Sequence, residues 1–139
     1  MRTILIAHRD MVLAEQLAAE LREGGYRVII CPGPPPPQRC IRCDKGYCPL
    51  TEGADLMIYD PRLTAADGED HLDNLATDSA LAHPDVPMLL AWSNEGAPDA
   101  GTLRAIHFAA PWVRVAAQKP AALLRQVHDL LSLTAAPMR

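Results

Sequence analysis

Residues 3–31, TILIAHRDMVLAEQLAAELREGGYRVIIC, decide the fold. Thr3 to Ala7 is an isoleucine-rich apolar run too short for a helix, so it reads as a strand buried on both faces, within a parallel sheet covered by helices. From Met11 to Glu23, Leu13, Leu17 and Leu21 recur every four residues with Ala14 and Ala18 beside them. Asp10 stands at the N-cap position and Gly24-Gly25 closes the pattern, which predicts a helix of about three turns. Tyr26 to Cys31 follows within a few residues as a second strand. Strand, helix and strand make a βαβ unit with a right-handed crossover.

Residues 32–54 interrupt this rhythm. Pro32-Gly33-Pro34-Pro35-Pro36-Pro37 cannot donate a hydrogen-bond ladder, and the four cysteines that end one strand and dot the loop have no apolar period around them. The segment reads as an inserted Pro/Cys-rich loop. The alternation resumes with a third strand at Asp55 to Tyr59, a turn at Asp67-Gly68 and a modestly amphipathic stretch from about His71 to Ala82. A fourth strand at Pro87 to Trp92, a helix over Ala100 to Ala109 and a short fifth strand at Trp112 to Ala116 come next. A last helix opens on Pro120, a favoured first-turn residue, and carries Leu123, Leu124, Val127, Leu130 and Leu131.

Together these elements predict one α/β domain over residues 1–133 with a frayed tail at 134–139. Its core would be a doubly wound five-stranded parallel sheet in the flavodoxin-like order 2-1-3-4-5. Sites in such sheets form at the carboxyl ends of the strands, where the order reverses between strands one and three. Those ends carry His8 and Arg9, Asp60, Trp92 and Ser93, with Lys119 just past strand five, and the cysteine loop leaves from the same edge.

Composition narrows the function. With 139 residues the chain suits a single core, and no apolar run approaches the roughly 20 residues that span a bilayer. The start fails as a signal peptide because His8, Arg9 and Asp10 follow a very short apolar stretch, so a cytoplasmic protein without a membrane anchor is expected. Thirteen Lys and Arg against 17 Asp and Glu leave a net charge of -4, the wrong balance for binding nucleic acid. No glycine-rich phosphate loop, Ser/His/Asp order or paired catalytic carboxylates appear, which argues against an enzyme.

The strongest chemical signal is Cys31-x8-Cys40-x2-Cys43-x4-Cys48. A Cys-x2-Cys turn sets two thiolates on one metal with little strain, and four cysteines in a cytosolic chain favour a metal site over disulfides. Arg39, Arg42 and Lys45 among them would favour the thiolate form and offset the charge of a four-thiolate Zn²⁺ centre. Metal would also give a polar, Pro-rich loop a reason to be ordered. An iron–sulfur cluster is the competing cofactor, with Cys48-Pro49 in its favour, and thiol redox switching is a third reading. Cys31 reaches the other three only if the chain turns back through Gly33 and Gln38-Arg39; otherwise it is a buried strand-end residue. His8 reads as a further ligand, a pocket base or a hydrogen-bonded loop histidine.

Asp55-Leu56-Met57-Ile58-Tyr59-Asp60, followed by Leu63 three positions after the aspartate and Gly68 eight after it, and then Gln118-Lys119-Pro120, occur in order and at matching distances. In this the chain resembles the receiver domains of two-component response regulators over nearly its whole length. The resemblance implies that Asp60 holds the phosphoacceptor position and Lys119 the position of the phosphoryl-contacting lysine. Receivers also carry two adjacent acidic residues after strand one that help hold Mg²⁺. Here those positions read His8 and Arg9, the hydroxyl position after strand four falls on Trp92 with Ser93 one further, and the aromatic switch position aligns with Ala116. The expectation is therefore a degenerate pseudo-receiver: a non-enzymatic module for an unidentified protein partner, with Arg9 or Lys119 paired to Asp60. Family members often dimerise through the fourth helix, fifth strand and fifth helix, which makes a homodimer a candidate assembly.

Overall fold

In a computed structural model of the chain, residues 2–8, 10–31, 53–60, 85–91, 112–117 and 119–134 are described. They form β1 (Thr3–Ala7), α1 (Met11–Glu23), β2 (Arg27–Cys31), β3 (Leu56–Tyr59), β4 (Met88–Leu90), β5 (Val113–Val115) and α2 (Pro120–Thr134). The five strands are all parallel in the order β2-β1-β3-β4-β5, the order expected from the alternation of elements. The expected helices near 71–82 and 100–109 and the cysteine loop lie outside the described residues. The last helix runs through Thr134, one residue past the expected boundary.

Position in the sheet decides how far each strand is buried. Ile4 to Ala7, all of β3 and all of β4 are buried, as central strands covered on both faces must be. The outer strands β2 and β5 bury one residue each, Val28 and Val113. Side chains alternate along a strand, so Ile4 and Ile6, Leu56 and Ile58, and Leu89 share one face. Ala14, Ala18 and Leu21 of α1 and Leu123, Val127, Leu130 and Leu131 of α2 join them in one apolar cluster. Leu5, Met57, Met88 and Leu90, on the opposite face, are also buried.

The ends of α1 follow the sequence closely. Asp10 caps it, its Oδ1 accepting from the Leu13 N–H at 3.1 Å. At the other end Tyr26 N–H donates to Leu21 O and Gly25 N–H to Arg22 O, the paired bonds of a Schellman turn. The two glycines have separate tasks there. Gly25 has φ +95°, which L side chains rarely adopt, whereas Gly24 is ordinary in φ but lies so near α2 that a Cβ would sit 2.6 Å from Leu124 Cδ2.

Each outer strand of the sheet is met by a side chain from a described helix. Arg22 of α1 donates from its guanidinium to the Val28 carbonyl of β2 at 3.0 Å. On the far side Gln126 of α2 accepts from Ala117 N–H at 2.8 Å and donates to Val115 O at 2.9 Å. The amide of Gln126 thus satisfies one donor and one acceptor of the outer strand.

Candidate functional site at the carboxyl edge of the sheet

The two strands at the point where the sheet order reverses end in His8 and Asp60. His8 continues the Ile4, Ile6 row and Asp60 the Leu56, Ile58 row, so both side chains rise from the face covered by α1 and α2. Asp60 N–H donates to Ala7 O at 2.8 Å and His8 N–H to Cys31 O at 3.1 Å, which extends the ladders one residue past the strands. Both side chains are buried, His8 to 1% exposure and Asp60 to 7%.

The imidazole of His8 is engaged at both nitrogens. Asp10 N–H donates to Nδ1 at 3.0 Å, and Nε2 lies 2.8 Å from the carbonyl oxygen of Ala91, at the end of β4. A backbone N–H can only donate and a carbonyl can only accept, so the neutral ring with its proton on Nε2 satisfies both contacts. β1 and β4 are separated by β3, roughly 10 Å apart at the usual strand spacing. The ring therefore bridges two strand ends across the end of a third.

Met57 N–H donates to Pro87 O and Ala91 N–H to Tyr59 O, so β4 stays tied to β3 through Ala91, whose own carbonyl meets the His8 ring. Reading the sequence for residue types does not find this link, because it depends on which strand ends the register brings level.

Among the described residues it is His8, and not Lys119, that lies within ion-pair distance of Asp60, with Nδ1 at 3.7 Å from Oδ2. Of the two partners expected for Asp60, Lys119 is not the one at this distance and Arg9 lies outside the described residues. The separation is too long for a hydrogen bond, and Nδ1 presents its lone pair to Asp10 rather than a proton to Asp60. Lys119 is exposed and closes the first turn of α2, where its carbonyl accepts from Leu123 N–H at 2.8 Å. Cys31, half-buried, ends β2 on the same edge. Arg9, Ser93, Cys40, Cys43 and Cys48 lie outside the described residues.

A Mg²⁺ ion takes near-octahedral oxygen ligation, and one carboxylate is the fewest it uses. The described residues offer that minimum: Asp60 supplies one carboxylate, the Asp10 carboxylate caps α1 through its Oδ1, and His8 has both nitrogens committed to the backbone. No group of three His, Cys, Asp or Glu side chains placed to hold a metal occurs among the described residues. Nor is any helix among them long and apolar enough to cross a membrane.

Comparison of the sequence with protein-family models finds none that matches, and comparison with curated proteins finds no relative. Solved structures are similar over nearly the whole chain. A CheY-like response regulator receiver domain protein from Methanospirillum hungatei superposes with a TM-score of 0.70 at 15% identity, covering 96% of each chain. The response regulator TrrA from Thermotoga maritima, solved with Mg²⁺ and BeF, gives 0.59 at 22% identity over 94% of this chain and 99% of its own. A protein described as the pilus assembly protein CpaE, from Burkholderia thailandensis, gives 0.64 at 20% identity over 95% and 99%. The chain has the fold of response-regulator receiver domains.

Proposed function

We propose that this chain is a non-enzymatic signalling or protein-interaction module, a receiver-like fold that works through a protein partner and is not switched by phosphorylation at Asp60. The observation that carries the reading is the His8 ring, buried, bonded at both nitrogens and lying across the end of β3 where the phosphoacceptor position falls. Phosphoryl transfer needs a metal to neutralise developing charge, and the described residues of this edge offer it a single carboxylate with the His8 ring beside it. The same reading gives the cysteine loop a structural role: Cys31, Cys40, Cys43 and Cys48 hold Zn²⁺ and stiffen a surface for the partner.

Two measurements test this. Treatment of the full chain with acyl phosphate and Mg²⁺ is expected to leave its mass unchanged; a phosphoryl gain that disappears in Asp60→Asn overturns the reading of the pocket. Elemental analysis with a visible spectrum on anaerobically purified protein is expected to return near-stoichiometric zinc and no colour. Iron with sulfide and visible absorption would instead make the loop a redox-responsive cluster.

A further inference from the structure

We propose that His8 is a fixed strut: as the neutral Nε2–H tautomer it ties the end of β4 to the N-cap of α1, donating to the Ala91 carbonyl and accepting from the Asp10 N–H. This inference deepens the reading of the edge as a pocket that works without a cation, and it concerns what holds that edge together in the cation's place.

Three observations converge on the ring. It is buried, so both nitrogens need protein partners, since an unsatisfied buried polar atom carries a heavy desolvation penalty. Its partners are one obligate donor, Asp10 N–H, and one obligate acceptor, Ala91 O, so one tautomer fits and the other leaves both contacts unmade. The acceptor lies at the end of β4, which β3 separates from β1, so the bond joins strand ends that are not neighbours in the sheet. Through Asp10 the strut reaches α1: that residue's N–H holds the ring, its Oδ1 takes Leu13 N–H and its carbonyl takes Ala14 N–H at 2.9 Å. One side chain from β1 therefore sets the position of a helix terminus and of a strand two places away. An aspartate at the same position has no donor for Ala91 O and would lose the bridge.

The decisive measurement is the protonation pattern of His8 in the ¹⁵N-labelled full chain near neutral pH, read from long-range ring correlations with and without millimolar Mg²⁺. One protonated nitrogen, Nε2, with ring shifts indifferent to Mg²⁺, is expected. A proton on Nδ1, or on both nitrogens, overturns the strut. Two amide isosteres then divide its ends. His8→Gln keeps a donor near the Nε2 position and loses the acceptor at Nδ1, so the Asp10 amide should exchange about tenfold faster while the ¹³C shift of the Ala91 carbonyl stays near its wild-type value. His8→Asn should do the reverse, and equal effects of both variants on both readouts overturn the proposal. If either variant does not fold, the tautomer of the wild-type ring decides. A phosphoryl gain at Asp60 with the proton still on Nε2 would overturn the functional reading and leave the strut standing.

Discussion

Asp55 and Asp60 flank β3, one before its first residue and one after its last, and their surroundings differ in kind. At the amino end, Asp55 accepts from Thr3 N–H on its Oδ2 at 2.8 Å and returns its own N–H to Thr3 O at 2.8 Å. Donor meets acceptor twice, and the carboxylate locks the first residue of β1. At the carboxyl end, the Asp60 carboxylate stands 3.7 Å from a ring nitrogen that is itself an acceptor. There the joining of strands is done by His8, through Asp10 and Ala91. The same residue type thus faces a backbone donor at one end of the strand and the acceptor nitrogen of a bonded ring at the other. Acidic residues near a strand are to be judged by the polarity of the group opposite, because a donor turns a carboxylate into a tie.

This contrast is open to a graded set of substitutions, read as urea unfolding free energies. The largest effect tests the rod between the two ends. Ile58→Ala empties a fully buried position at the centre of the sheet and is expected to cost about 2–5 kcal/mol. Next comes the amino-end fastener: Asp55→Ala removes a charge-assisted bond to a half-buried N–H and should cost about 1–2 kcal/mol, with Asp55→Asn recovering part of it by keeping an acceptor. The smallest is Asp10→Ala, which loses the cap at Leu13 but keeps the backbone N–H that holds His8, and should cost about 1 kcal/mol. A larger loss in Asp10→Ala than in Asp55→Ala would break the comparison, because it would make the carboxyl edge the chief fastening of the sheet.

Most of the fold was legible in the sequence because its signals are local. Five-residue isoleucine-rich runs, leucines at a spacing of four, an aspartate before a helix and a glycine pair after it each act within one element, and β1 and α1 fall where the pattern put them. Strand ends were less legible. Tyr26, Pro87 and Trp112 belong to the apolar runs but fall just outside β2, β4 and β5, since hydrophobicity continues past the last paired residue. The site divides in the same way. That His8 and Asp60 share an edge follows from topology, and the sequence supplied it. The bridge to Ala91 follows from register, which depends on the pairing of strands distant in the chain. The expectation that Arg9 or Lys119 pairs with Asp60 rested on charge alone, and charge does not say that Lys119 is exposed.

The amide of Gln126 has a consequence for the chain's behaviour in concentrated solution. A parallel sheet with an open outer strand offers a template on which another chain can add, and unprotected edges of this kind lead to aggregation. Gln126 meets Ala117 N–H and Val115 O much as the backbone of a neighbouring strand would, so an added strand would have to displace a side chain of the same molecule at that place. Arg114 adds to the cover by donating to the Val113 carbonyl at 2.8 Å. The outer strand is in this sense partly spoken for: two side chains of the chain itself compete with any newcomer for its backbone groups.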